Sequence, residues 1–147
     1  MIDLAQATSI VDNALAHGRT MGLPPLTVAV LDAHGCLVAF KREDGSSLLR
    51  PEIAQAKAYG TLAMGIGGRA IAQRAAVAPS FVSAVNALAG GRLIPVPGGV
   101  LIRSASKEII GAVGITGAIS EQDEACAVAG IESLGLIADT GADPTAR

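Results

Sequence analysis

Lys57 is the residue of this sequence whose surroundings most invite chemistry. It shares helical spacing with Ile53, Ala56, Gly60 and Met64, an otherwise apolar face, and a lysine is almost never fully buried without a partner. A desolvated lysine can serve as acid, base or carboxylate anchor. By chain order the nearest carboxylates to pair with it are Asp32, Asp44 and Glu52. The alternative is a side chain that lies along apolar surface and keeps its head in water. Arg42 follows a strand candidate directly and is suited to grip a carboxylate with two parallel hydrogen bonds. Lys57 and Asp32 are then the candidates for proton transfer. Surface solvation explains Arg42, Asp44 and Gly45 nearly as well.

Other chemistries find less. His17 and His34 are the two histidines, and neither has an HxxxH or Cys/His companion, so no zinc or other metal site is expected. A Ser-His-Asp hydrolase would show a GxSxG elbow, which is missing. Cys36 and Cys126 are too far apart for a CxxC motif and stand in apolar runs, where inert, reduced thiols are expected. Gly111, Gly114 and Gly117 form a GxxGxxG series just before Ser120, superficially an anion cradle. There is no lysine of the P-loop kind, however, and Glu121, Asp123 and Glu124 would repel an anion. Glycines that permit close backbone or subunit approach are the better reading.

The elements that must position these residues are legible in outline. Asp3 and Gln6 can form a capping box for a first helix that Gly18 would stop. Leu26 to Leu31 and Cys36 to Arg42 read as strands, and Asp32-Ala33-His34-Gly35 suits a type I turn with a glycine bulge between them. Pro51 opens the helix that carries Lys57, and Gly67-Gly68 would end it. A short helix from Arg69 to Ala75 follows. Ser80 would then cap a helix with Phe81, Val85 and Leu88 inward. Pro97-Gly98-Gly99 marks a tight turn before strands Val100 to Arg103 and Ile109 to Thr116. Ser120 and Asp123 form a second capping signature for a last helix with Val128, Ile131 and Leu134 inward. This order suits one α+β domain over residues 1–138, an antiparallel sheet of about five strands flanked by helices. Residues 139–147 are expected to be a frayed tail.

Composition narrows the setting. The chain has 147 residues, 50% of them hydrophobic and 16% charged, and its mean hydropathy is +0.49. That is apolar for a small monomer and points to burial between subunits, because no apolar run approaches the roughly 20 residues a membrane span requires. Asp3 follows Met1 almost at once and no basic segment precedes an apolar run, so a cytoplasmic location is expected. With a net charge of −2 and three aromatic residues, Phe40, Tyr59 and Phe81, neither a basic footprint nor stacking platforms for nucleic acid are present.

Several segments together carry a family resemblance: Val30-Leu31-Asp32-Ala33-His34-Gly35, Leu37 to Phe40 with Arg42, Glu52 with Ala56-Lys57-Ala58, and Pro97-Gly98-Gly99-Val100. Ile110 to Gly117 and Glu121-Gln122-Asp123-Glu124-Ala125 complete the set. Over residues 2–137 the chain resembles the GlcG/HbpS-like family, the haem-degrading domain family. His34 stands where the hairpin turn of that family commonly has a glycine, and Leu101 where a proline commonly follows the glycine pair. The resemblance implies a profilin-like three-layer sandwich, homo-oligomers up to octamers, and in some members haem or a related tetrapyrrole held between subunits. By position it places ligand-proximal segments at Lys57, Gly98, Gly99, Thr116 and Gly117.

Two functional readings follow. One is an oligomeric cytoplasmic protein that binds a small ligand, haem or a tetrapyrrole, at a subunit interface. The other is a cofactor-free catabolic enzyme, a hydrolase, deaminase or tautomerase acting on a carboxylate metabolite, with Lys57 or Asp32 moving the proton and Arg42 holding the substrate. A purely structural oligomer would show neither binding nor turnover.

Overall fold

The longest apolar strand of the sequence becomes the centre of the fold. In the computed structural model, which describes residues 1–142, β4 (Ile109–Thr116) lies between β1 (Thr27–Asp32) and β3 (Gly99–Arg103). β2 (Leu37–Arg42) and β5 (Ile137–Asp139) are the edges of this antiparallel sheet of order β2-β1-β4-β3-β5. Strands covered on both faces read as continuous apolar runs rather than alternating ones, and β1 and β4 do so because helices lie on either side.

On one face, α1 (Leu4–Thr20) and α5 (Ser120–Glu132) press Ile10, Val11 and Ile131 onto Val28, Val30, Val113 and Ile115. Each such fully buried aliphatic side chain contributes about 1.5–3 kcal/mol. On the other face α2 (Arg50–Met64) lies on β1, β3 and β4, with Ala58 against Leu31, Leu101 and Ala112. The result is the three-layer α+β sandwich expected from the sequence. α3 (Gly68–Val77) and α4 (Pro79–Leu88) add a smaller cluster of Ile71, Val82 and Leu93 beside it. Among the described residues no helix is long and apolar enough to cross a membrane.

α2 lies unusually close to the sheet because its buried positions are Ala54, Ala56, Ala58 and Gly60 and the strand beneath offers Gly114. A Cβ at Gly114 would run into the backbone carbonyl of Ala54. The glycine series of β4 therefore permits backbone approach, as its spacing suggested.

The capping box forms: Gln6 N–H donates to Asp3 Oδ1 at 2.8 Å and Asp3 N–H to Gln6 Oε1 at 3.1 Å. The turn also forms, with Gly35 at φ +83° donating its N–H to Asp32 O. Other expectations needed correction. Gly18 does not end α1; it sits inside the helix, where a Cβ would lie 2.6 Å from Leu26 Cδ1, and the chain turns at Gly22, φ +66°. α2 ends at the left-handed Gly65 rather than at Gly67-Gly68. α4 lacks a Ser80 cap and turns Val82 inward, leaving Phe81 and Leu88 exposed.

In α5, Ser120 is the first helical residue and Ile119 the uncapped N-cap, while the inward residues are Cys126, Ala127, Gly130 and Ile131. Beyond α5 the chain returns to the sheet. Asp139, placed in the expected tail, ends β5 and pairs with Arg103 at 2.9 Å, and Thr140 O accepts from Arg69 N–H at 3.0 Å. The remaining expected tail, residues 143–147, lies outside the described residues.

Candidate functional site

Six of the seven residues singled out by sequence lie at one end of the sheet, five of them clustered at Lys57 and the sixth, Arg42, on the edge strand. β3 begins there and β4 ends there, since Gly99 pairs with Gly114 and Thr27 with Thr116. Lys57, on the flank of α2, reaches over this end. Its Nζ donates to Ile115 O at 2.9 Å and to Asp123 Oδ2 at 3.2 Å. The two side chains are only 4% and 1% exposed. Gly98, at φ +115°, passes so near that a Cβ there would stand 2.9 Å from Lys57 Nζ, which explains why this turn requires glycine. Gly99 is confined likewise by the Lys57 carbonyl, and Gly117, at φ +139°, by the Pro25 carbonyl.

The partner of Lys57 is thus Asp123, not Asp32, Asp44 or Glu52. The acidic start of α5 reads as a complement to the helix dipole, and Asp123 as a capping residue; sequence alone does not reveal that α5 crosses the sheet end opposite α2. The Asp123 carboxylate also accepts Ala118 N–H at 3.0 Å, so it fixes the β4–α5 connection as well as the lysine. Burial lowers the Lys57 pKa below the usual lysine value, Asp123 opposes that shift, and the Arg50 charge adds to it. Burial raises the Asp123 carboxyl, with Lys57 pulling the other way. Each charge is tolerated because the other is present, with Ile115 O and the Ala118 N–H as further hydrogen-bond partners.

Arg50 belongs to this end too and escaped the sequence reading. Its NH1 donates to Thr116 Oγ1 at 2.6 Å and its Nε to Ser47 Oγ at 3.1 Å. The signal available was its place before Pro51, which fixes it in the first turn of α2. Thr27, beside Thr116 in the sheet register, carries the one buried side-chain oxygen without a hydrogen-bond partner among the described residues.

Asp32 lies apart from this cluster, whereas Arg42, on the edge strand, is the register partner of Thr27 at the same end of the sheet. The Asp32 carboxylate accepts the N–H groups of His34 at 2.9 Å and Cys36 at 3.1 Å, at the opposite end of β1. Arg42 NH2 donates to Ser46 O on the edge strand. His34 and Cys36 are exposed. Cys126 is buried under α1, and desolvation, with the nearby Asp123 charge, raises its thiol to about 11.

A family model described as "Haem degrading protein HbpS-like" matches residues 2–132. Among curated proteins no sequence match is found. Solved structures share the fold, among them PduOC, protein ORFY and HbpS. The chain is 21% identical to PduOC, crystallised as a haem complex, with a TM-score of 0.83 over 92% of this chain and 96% of that one. It is 24% identical to protein ORFY of Klebsiella pneumoniae, with a TM-score of 0.81 over 91% and 90%. With HbpS it shares 27% identity and a TM-score of 0.78 over 91% and 90%. On the extent of the family match, the chain belongs to the haem-degrading HbpS-like family.

Proposed function

We propose that this protein binds haem or a related tetrapyrrole as a cytoplasmic homo-oligomer, on a surface completed by a second subunit at the Lys57 end of the sheet. The observation that carries the ligand class is the family match over residues 2–132. A relative crystallised with haem supports it.

The described cavities of one subunit supply little for the group. One cavity, of about 480 Å³, is lined by Leu15, Arg19, Pro25, Lys41, Arg42, Glu43 and Asp44, none of which is a usual axial ligand to haem iron. A cavity of about 250 Å³ is lined in part by Tyr59 but is too small for the four rings of a tetrapyrrole. A second subunit is therefore part of the proposal.

The apolar surface at the lysine end supports its location. Leu48 is 91% exposed and Leu49 61%, just before Arg50, and Ile119, two residues past Gly117, is 63% exposed. Large apolar side chains grouped at a surface mark interfaces or ligand sites. In this reading half-buried Gly117 borders the ligand, while buried Gly98, Gly99 and Thr116 and the Lys57–Asp123 pair shape that wall from beneath. Lys57 and Asp32 offer less to the enzymatic alternative, because the lysine is buried in an ion pair and the aspartate is engaged by two backbone N–H groups.

Haemin titration followed at the Soret band tests the proposal. The parent protein should show a saturable shift, and Leu49→Asp/Ile119→Asp should weaken it by roughly tenfold or more, about 1.4 kcal/mol. A parent protein without any saturable shift would overturn the reading.

A further inference from the structure

The other flank of α2 carries a second, unassigned cavity. Its floor is Leu31 and Ala56, its outer wall Leu37 on the edge strand, and its far side Tyr59, whose ring packs against Gly35 in the hairpin turn. Glu52 and Arg92 line the same space. Arg92 stands 3.9 Å from the centre of the Tyr59 ring and uses Nε to donate to Ala89 O. Its terminal N–H groups have no hydrogen-bond partner among the described residues. The loop presenting it is fixed, since Leu93 N–H donates to Asn86 Oδ1 and Gly91 N–H to Asn86 O.

Two opposite charges therefore border one cavity without meeting. Neither Glu52 nor Arg92 forms an ion pair among the described residues, although five other pairs do form. A ligand carrying only a carboxylate would meet Arg92 favourably and Glu52 unfavourably; one carrying only an amine would meet the reverse. A molecule bearing both groups satisfies both residues. Apart from Gln55 the rest of the lining is mainly apolar, and the volume is about 250 Å³, where an apolar cavity of about 150 Å³ already holds benzene. A branched aliphatic side chain fits such a space, whereas the four rings of a tetrapyrrole do not.

We infer that this cavity binds a small zwitterion with an apolar side chain, an α-amino acid of the leucine type. The carboxylate lies on Arg92, the ammonium on Glu52, and the side chain on Leu31, Leu37 and Ala56. This site is separate from the tetrapyrrole reading and does not depend on it.

The protein contains a built-in reporter, for Tyr59 is its one tyrosine and it has no tryptophan. Tyrosine emission is followed while L-leucine, 4-methylpentanoate (leucine without its amino group) and isopentylamine (leucine without its carboxylate) are titrated separately. Leucine should give a saturable change, with both truncated analogues weaker by roughly tenfold or more. Arg92→Gln should weaken leucine by a similar factor while isopentylamine, freed of the arginine's repulsion, binds as well as before or better; Glu52→Gln should weaken leucine while 4-methylpentanoate, freed of the glutamate's repulsion, binds as well as before or better. Both side chains are exposed, and circular dichroism confirms that each variant is folded. Haemin binding by Arg92→Gln should match the parent, which separates failure of this site from failure of the other. No saturable change up to about 10 mM leucine, equal affinity for all three probes, or folded variants that bind leucine as the parent does would each overturn the inference.

Discussion

The two flanks of α2 are built from the same helix and treat charge in opposite ways. Toward β3 and α5, Lys57 and Asp123 are sealed under glycine backbone and bonded at 3.2 Å. Toward the β1–β2 hairpin, Glu52 and Arg92 border an open cavity and do not touch. Burial accounts for the difference. A charge removed from water must find a partner, and the geometry is then fixed by that need; a charge left at a rim keeps its hydration and stays available to a ligand. The closed flank shapes the sheet end, and the open flank is free to bind.

The comparison breaks most visibly if the closed pair is split. Lys57→Met strands a buried carboxylate and should cost about 3–5 kcal/mol, while Lys57→Met/Asp123→Leu, with no charge left to bury, should recover most of that loss. Urea unfolding of the three proteins measures both. A single variant as stable as the parent would mean that the pair is solvated. By contrast Arg92→Gln on the open flank should stay within about 0.5 kcal/mol of the parent.

Packing at the closed side gives the next largest effect. Gly114→Ala forces a methyl into the Ala54 carbonyl, and overpacking of this kind costs about 1–3 kcal/mol. Thermal denaturation reads it. At the hairpin, Asp32→Ala removes two turn hydrogen bonds and should cost about 1 kcal/mol, because water reaches the released N–H groups.

The smallest effect separates the two thiols. Cys36 is exposed near the hairpin and Cys126 is buried with its thiol raised to about 11 from 9.0. Iodoacetamide at mildly alkaline pH should label Cys36 and spare Cys126 in the folded protein, as mass spectrometry of the digest would show. The stability sign follows from the same shift. An acid whose folded pKa is raised favours the fold while protonated, so the contribution is complete below about 9 and is lost as pH rises through about 11.

Much of this was legible in sequence. The hairpin turn, the extent of β4 and the helix bearing Lys57 follow from short-range rules, because an Asp-x-x-Gly turn, an apolar run and a proline at a helix start act locally. A lysine on an apolar helical face also announced a buried charge. Its partner did not announce itself. Asp123 lies 66 positions away, and the acidic residues around it have an adequate local explanation at a helix start. Arg50 escaped for the same reason, as its contact with Thr116 spans two elements. β5 has three residues, too few for any periodicity, and Gly18 looked like a helix stop although tertiary contact with Leu26 accounts for it. The open cavity joins residues of β1, β2, α2 and the loop after α4, so only the assembled fold displays it.

The central functional claim is that a tetrapyrrole is held by more than one copy of this chain. Native mass spectrometry of the protein mixed with limiting haemin tests it most directly, because each species is resolved by both subunit number and haem number. The account predicts haem on species of two or more subunits and on no monomer. A monomer carrying one haem, as the main loaded species, would contradict it.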